Sequence, residues 1–140
     1  MNTADDPAPD LLAQTLEQAG FESLWYGEHS HIPVARQTPY PPGGPLPEPY
    51  KKMMDPYVSL TAAASATKTL NLGTGIALLL ERELLSQAKT ICSLDRISEG
   101  RLMIGCGVGW NEEEFNNASN LPWNRRYLAL KETVTAQRAL

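Results

Sequence analysis

The 140-residue sequence predicts an α/β protein of about three parallel strands with flanking helices. Three observations carry that class. Three short apolar-rich runs, "FESLWYG" (21–27), "LNLGTGIALL" (70–79) and "RLMIGCGVG" (101–109), read as strands. Stretches with apolar residues at helical spacing separate them. Asp-Pro pairs stand at Asp6-Pro7 and Asp55-Pro56, each a helix cap followed by proline at the first helical position. Strands that alternate with helices pair in parallel through right-handed crossovers. Near-continuous apolar strands belong to a covered sheet. A doubly wound open sheet and part of a (β/α)8 barrel both satisfy this order.

The first helix is expected from Pro7, with Leu12, Leu16 and Ala19 on its inner face and Gly20 as its stop. The strand at 21–27 follows. Residues 28–54 hold seven of the eleven prolines, together with Gly43 and Gly44, which forbids regular helix or interior strand. A loop of that length inside a domain is functional or disordered. Its Ile32, Tyr40, Leu46 and Tyr50 argue against a solvated linker. The second helix starts at Pro56 and presents Leu60, Ala63, Ala64 and Thr67, a face small enough for close packing. After the strand at 70–79, Leu84, Ala88, Ile91, Cys92 and Asp95 mark the third helix. "SEG" (98–100) turns the chain into the strand at 101–109. A short helix is expected at Asn111, and a last one carries Tyr127, Leu130 and Val134 on one side.

One domain is expected over residues 1–140. The net charge of -4 gives no basic footprint, which argues against nucleic acid and anionic membranes as partners. No apolar run approaches the roughly 18 residues of a membrane span. The acidic, proline-bearing start is neither a secretory signal nor a transit peptide. Cys92 and Cys106 lack CxxC spacing, so a reduced cytoplasmic setting is expected. The pattern opens on a helix and closes inside one. Since a full (β/α)8 barrel needs roughly 250 residues, the chain reads as a piece of a larger fold. A small three-stranded open sheet is the alternative.

Gly105, Gly107 and Gly109 follow a strand as a dinucleotide fingerprint would, but the third glycine of G-x-G-x-x-G would fall on Trp110. No acidic residue stands about 20 positions further on to hold a ribose, and no Gly-Lys-Ser/Thr completes a phosphate loop. Alternate glycines on one strand face instead admit a flat ring, or another part of the protein, at close range. Spacing alone does not separate the two. Asn111 with Glu112, Glu113 and Glu114 reads as a capped helix start, with Glu114 closing a capping box, rather than as catalytic carboxylates. "GEHSH" (27–31) holds both histidines. His29 and His31 would share one face of a continuing strand, yet no third histidine completes a metal site. A histidine at the C-terminal end of a strand suits a donor to substrate or cofactor, or a residue merely bonded in its loop.

Four segments, "AGFESLWYGEHSHIP", "PYPPGGPLPEPY", "DPYVSLTAAASATKTLNLGTGIALL" and "AKTICSLDRISEGRLMIGCGVGWNEEEF", occur in the order and spacing of the bacterial luciferase-like superfamily. The chain resembles that superfamily from Ala19 to Phe115, and within it the coenzyme F420-dependent oxidoreductases. The resemblance implies a partial (β/α)8 barrel, with the first strand and the C-terminal half missing. It implies hydride transfer at a deazaflavin, coenzyme F420, or oxygenation with FMN in a luciferase-like monooxygenase, acting on a small-molecule substrate. It puts His29 beside the ring as proton donor or acceptor. It matches Gly75–Ile76 to a non-prolyl cis peptide behind the ring, with Thr74 beside it, and lays Gly107, Val108 and Gly109 against the cofactor. Relatives that oxidise sugar phosphates carry an acid where Trp110 stands, so that substrate class is not carried over. Tyr40, Tyr50 and Trp110 are expected to wall the substrate pocket. A homo-oligomer is expected, and a non-catalytic piece that associates through open sheet edges is the reading from another class.

Overall fold

The computed structural model describes residues 1–140 and runs α1 (Pro9–Gln18), β1 (Ser23–Tyr26), α2 (Pro56–Ala66), β2 (Asn71–Ala77), α3 (Leu84–Ile97), β3 (Leu102–Cys106), α4 (Glu112–Ala118), α5 (Arg126–Gln137). The three strands form one parallel sheet in the order β1-β2-β3. In register, Trp25 stands beside Gly73 and Gly73 beside Met103. Side chains alternate across this sheet. Leu24, Tyr26 and Leu72 turn to the helices and pack with Ala13, Leu60, Ala63 and Leu94 into one core. The opposite face is open and carries Trp25, Ile76 and Met103, each more than a third exposed. Helices thus cover one face only, where apolar strands had predicted cover throughout. No helix is long and apolar enough to cross a membrane.

α2 follows its sequence signals. Asp55 Oδ1 accepts from Tyr57 N and Val58 N at 2.9 and 3.1 Å, Pro56 opens the helix, and the four expected face residues are buried. α1 does not start at Pro7. Ala8 precedes Pro9 and is held extended (φ -54, ψ 139), because a residue before proline avoids helical geometry. Asp6 instead accepts from Thr3 N and Oγ1 at 2.9 and 2.8 Å. Ala19, at the end of this helix, is exposed, and Ala13 takes the buried place. The buried side of α3 is Gln87 and Leu94, with Ile91 packed on the core, while Cys92 and Asp95 are exposed. Gln87 Oε1 accepts from Gln137 Nε2 of α5 at 2.7 Å, a polar contact that apolar periodicity does not register. On α5, Ala129 is buried and Tyr127 is exposed, with the Arg126 guanidinium over the rings of both Trp123 and Tyr127. β3 ends at Cys106, short of the predicted Gly109, whose positive φ of 72° takes the chain out of extended geometry.

Two side chains lock the N-terminal end of the sheet. Arg101 donates to the carbonyls of Ala64, Thr67, Leu70 and Ser98 and to Thr67 Oγ1. Glu17 Oε1 accepts from the backbone N–H groups of Thr69, Leu70 and Lys68 at 2.6, 2.9 and 2.8 Å. Those bonds, Thr69 first, pull its carboxyl down from 4.5 to about 2. A depressed carboxyl stabilises the fold above its unfolded pKa and loses that contribution as pH falls through the folded value. Glu17→Gln is therefore expected to melt lower than wild type at pH 7, with the gap closing between pH 4.5 and 2. A gap that stays constant over that range in thermal melts would contradict this origin.

Candidate active site

The end of β1 is brought against β2 by Gly27, where a Cβ would lie 3.1 Å from the Gly75 carbonyl oxygen. Next, buried Glu28 accepts from Leu78 N and Arg82 Nε, both at 2.7 Å, and Arg82 also donates to Asp55 at 2.6 Å. This pins the chain so that His29 turns the other way. His29 Nδ1 lies 2.6 Å from Glu114 Oε2, with both side chains buried. Glu114 Oε1 accepts from Ser30 N at 2.8 Å. An ionised carboxylate only accepts, so Nδ1 carries the hydrogen and the neutral ring keeps a lone pair at Nε2.

His29 lines a cavity of about 280 Å³ at the C-terminal end of the sheet. Gly75 and Ile76, joined by a cis peptide bond, form part of its lining, and no lysine or arginine reaches it. Tyr50 and Trp110 meet the His29 ring edge-on, with centroids at 5.4 and 5.5 Å. Tyr40 backs both, at 5.4 Å from Tyr50 and 5.9 Å from Trp110, and its hydroxyl is 3.2 Å from that of Tyr50. Of the three aromatic residues expected to form a pocket wall, Tyr50 and Trp110 thus meet His29 and line the cavity, and Tyr40 stands behind them outside its lining. The proline-rich loop that supplies two of them is anchored, since Glu113 Oε1 accepts from Gln37 N and Thr38 N at 2.8 and 3.1 Å. The Thr38 hydroxyl first, and then the Gln37 N–H, bring the Glu113 carboxyl down to about 2.

Other expected site residues face elsewhere. Thr74 is fully buried and its hydroxyl donates to the Gly105 carbonyl at 2.9 Å, which joins β2 to β3. Gly107 lies against Ile76, where a Cβ would come 2.2 Å from its Cδ1. Val108 packs with Leu80 and Phe115 on the helix side, and Gly109 faces Leu78. None of these four lines the cavity. His29 and His31 do not share a face, because the strand has already ended at Tyr26. His31 contacts Ser30 Oγ and Asn117 Nδ2 at 2.9 and 3.0 Å.

The capping reading holds in one half. Asn111 Oδ1 accepts from Glu114 N at 3.5 Å, but the Glu114 carboxylate does not return to Asn111. It goes to His29 and Ser30. Glu114 is the residue that sequence reasoning missed as part of the site. The available signal was the histidine itself, since a ring held at a strand end needs an acceptor to fix its tautomer. The arrangement can accept or deliver one proton at the His29 ring, in a cavity lined by Trp25, Tyr26, Tyr50 and Trp110 and by the Glu28 carboxylate that Arg82 neutralises.

A model of the luciferase-like monooxygenase family matches residues 11–140. An uncharacterized protein of Mycobacterium tuberculosis is 39% identical over 135 residues, which are 94% of this chain and 48% of that protein. The chain therefore spans about half the length of the curated relatives it matches best among these. Among solved structures, the monooxygenase RslO1 from Streptomyces bottropensis superposes with a TM-score of 0.73 at 26% identity, over 94% of this chain and 35% of that one. The coenzyme F420-dependent tetrahydromethanopterin reductase from Methanopyrus kandleri gives 0.58 at 28%, over 87% and 29%.

Proposed function

We propose, from the premise that this chain belongs to the family of luciferase-like monooxygenases, that the whole protein is an oxidoreductase that uses coenzyme F420. The observation that carries the reading is the buried His29–Glu114 pair, in which Glu114 engages Nδ1 of a ring that lines the cavity and leaves Nε2 without a protein partner. A ring system fits this place on two counts. The Gly75–Ile76 main chain offers a surface without a side chain at Gly75, and the one carboxylate of the lining, Glu28, is already committed to Leu78 N and Arg82. Gly75, Ile76 and Tyr50 would hold it. When bound, the deazaflavin would supply hydride transfer to or from a small-molecule substrate. The protein's own part is to hold one proton at Nε2, fixed in direction by Glu114, and to exclude water with Tyr40, Tyr50 and Trp110.

A monooxygenase that uses FMN is the second reading, and the luciferase-like monooxygenase family match and the similarity to the monooxygenase from Streptomyces bottropensis favour its monooxygenase part. Titration of the whole protein with F420 and with FMN, followed by fluorescence, separates them. Tighter binding of F420 is expected. Tighter binding of FMN reverses the order. Affinity for neither would remove both readings, and self-association of the 140-residue chain through the edges of β1 and β3 would support a non-catalytic role for it instead.

A further inference from the structure

We propose that Glu81 is a positioning residue that sets the proton state of the His29–Glu114 pair through the Ser30 hydroxyl. The proposal rests on His29 being the proton carrier of the reaction proposed above. Glu81 closes a single helical turn, Leu79–Glu81, directly after β2 and at the same end of the sheet as His29. Ser30 touches both carboxylates. Its N–H donates to Glu114 Oε1 at 2.8 Å, and its hydroxyl lies 2.9 Å from Glu81 Oε2 and 3.4 Å from Glu114 Oε1.

Counting hydrogens shows how unequal the two acids are. Asn117 Nδ2 donates to His31 Nε2 at 3.0 Å, so neutral His31 carries its hydrogen on Nδ1, 2.9 Å from Ser30 Oγ. The Ser30 hydroxyl accepts there and has one hydrogen left, which goes to the nearer carboxylate, Glu81. Glu114 already has Ser30 N–H and His29 Nδ1–H. Glu81 has that single hydrogen bond and no cation of its own. The neighbouring Arg82 is committed to Glu28 and Asp55.

Around Glu81, burial and the Glu114 and Glu28 carboxylates push its carboxyl up, while the Ser30 hydroxyl bond and Arg82 pull it down. Glu114 faces it from α4, and Glu28, Ser30 and His31 from the loop after β1. α5 turns apolar Ala129 to Leu80 in the same turn, with its Arg126 stacked on Trp123. Burial first, and the Glu114 charge second, push the Glu81 carboxyl up to about 8. At neutral pH Glu81 is therefore protonated and Glu114 carries the only negative charge on Ser30. When Glu81 loses its proton to solvent, a second negative charge stands beside Glu114. A second negative charge near the ring favours the protonated form of His29, because opposite charge stabilises an imidazolium.

The test is NMR of the whole protein with labelled glutamate carboxyls and histidine rings, without cofactor. A glutamate carboxyl is expected to titrate near pH 8, and the His29 ring signals should step at the same midpoint. Both steps should vanish in Glu81→Gln. In Ser30→Ala, which keeps the backbone donor to Glu114, the His29 step should shrink while the carboxyl step remains. The pH profile of turnover should lose its limb near 8 in Glu81→Gln. A Glu81 that titrates near the ordinary value of about 4.3, a His29 ring blind to its ionisation, or an unchanged His29 step in Ser30→Ala would overturn the proposal. The NMR readouts need no cofactor, so failure to bind F420 or FMN would remove the proposed function and leave this coupling standing.

Discussion

Replacing His29 by asparagine is expected to lower turnover by about 10²–10⁴-fold while the protein keeps its fold. The asparagine amide nitrogen can occupy the place of Nδ1 and donate to Glu114, so the buried carboxylate keeps two donors, this one and Ser30 N. What disappears is Nε2, the ring nitrogen that Glu114 leaves free. Alanine is a poorer test. His29 and Glu114 are both buried, and removing one partner of a buried pair costs about 3–5 kcal/mol, so lost activity would be confounded with lost fold. Glu114→Gln supplies the complementary result. Its amide can keep an oxygen on Ser30 N and turn its NH₂ to His29 Nδ1. That nitrogen then accepts, the hydrogen moves to Nε2, and the base is gone although every contact survives. A comparable loss of turnover with an unchanged melting temperature is expected. Wild-type turnover in either variant would remove His29 from the chemistry.

What the sequence made legible were signals that are local. Asp55-Pro56 is a cap whose partners lie two and three residues away, and α2 formed as expected. Of the three aromatic residues expected at a pocket wall, Tyr50 and Trp110 meet the His29 ring, and Tyr40 packs behind them. The partner of His29 was not legible. Glu114 lies 85 positions further along the chain, in a helical first turn where a glutamate has a sufficient local reason to exist. Nothing in its neighbours distinguishes it from Glu112, which is exposed. Only the fold turns one carboxylate inward and ties the next, Glu113, to the proline-rich loop. α1 failed for a different reason. Two prolines two residues apart compete to open the helix, and the second wins because it forbids helical geometry at the residue between them.

Gly105→Ala is expected to destabilise the chain by about 3 kcal/mol or more, a large share of the 5–15 kcal/mol that holds a domain together. The glycine stripe left two readings open, room for a ring or close packing, and Gly105 answers for itself. A Cβ there would stand 2.4 Å from the Thr74 carbonyl oxygen. That oxygen is main chain, and Thr74 is fully buried with its own hydroxyl fixed to the Gly105 carbonyl. Neither side can yield without parting β2 from β3. Gly73→Ala is the control. A Cβ at Gly73 would lie 2.3 Å from the Trp25 ring, a closer clash still. Yet that ring is 46% exposed on the open face of the sheet, held by one hydrogen bond to Ser23, and it can swing away. The fold should then lose little, since alanine also restricts the unfolded chain by about 0.4–1 kcal/mol. The displaced Trp25 lines the cavity, so the cost should appear as altered cofactor binding instead. Denaturant unfolding of the two variants decides the matter: equal losses would mean that the Thr74 main chain yields as readily as a tryptophan ring, and that the β2–β3 contact at Gly105 is not rigid.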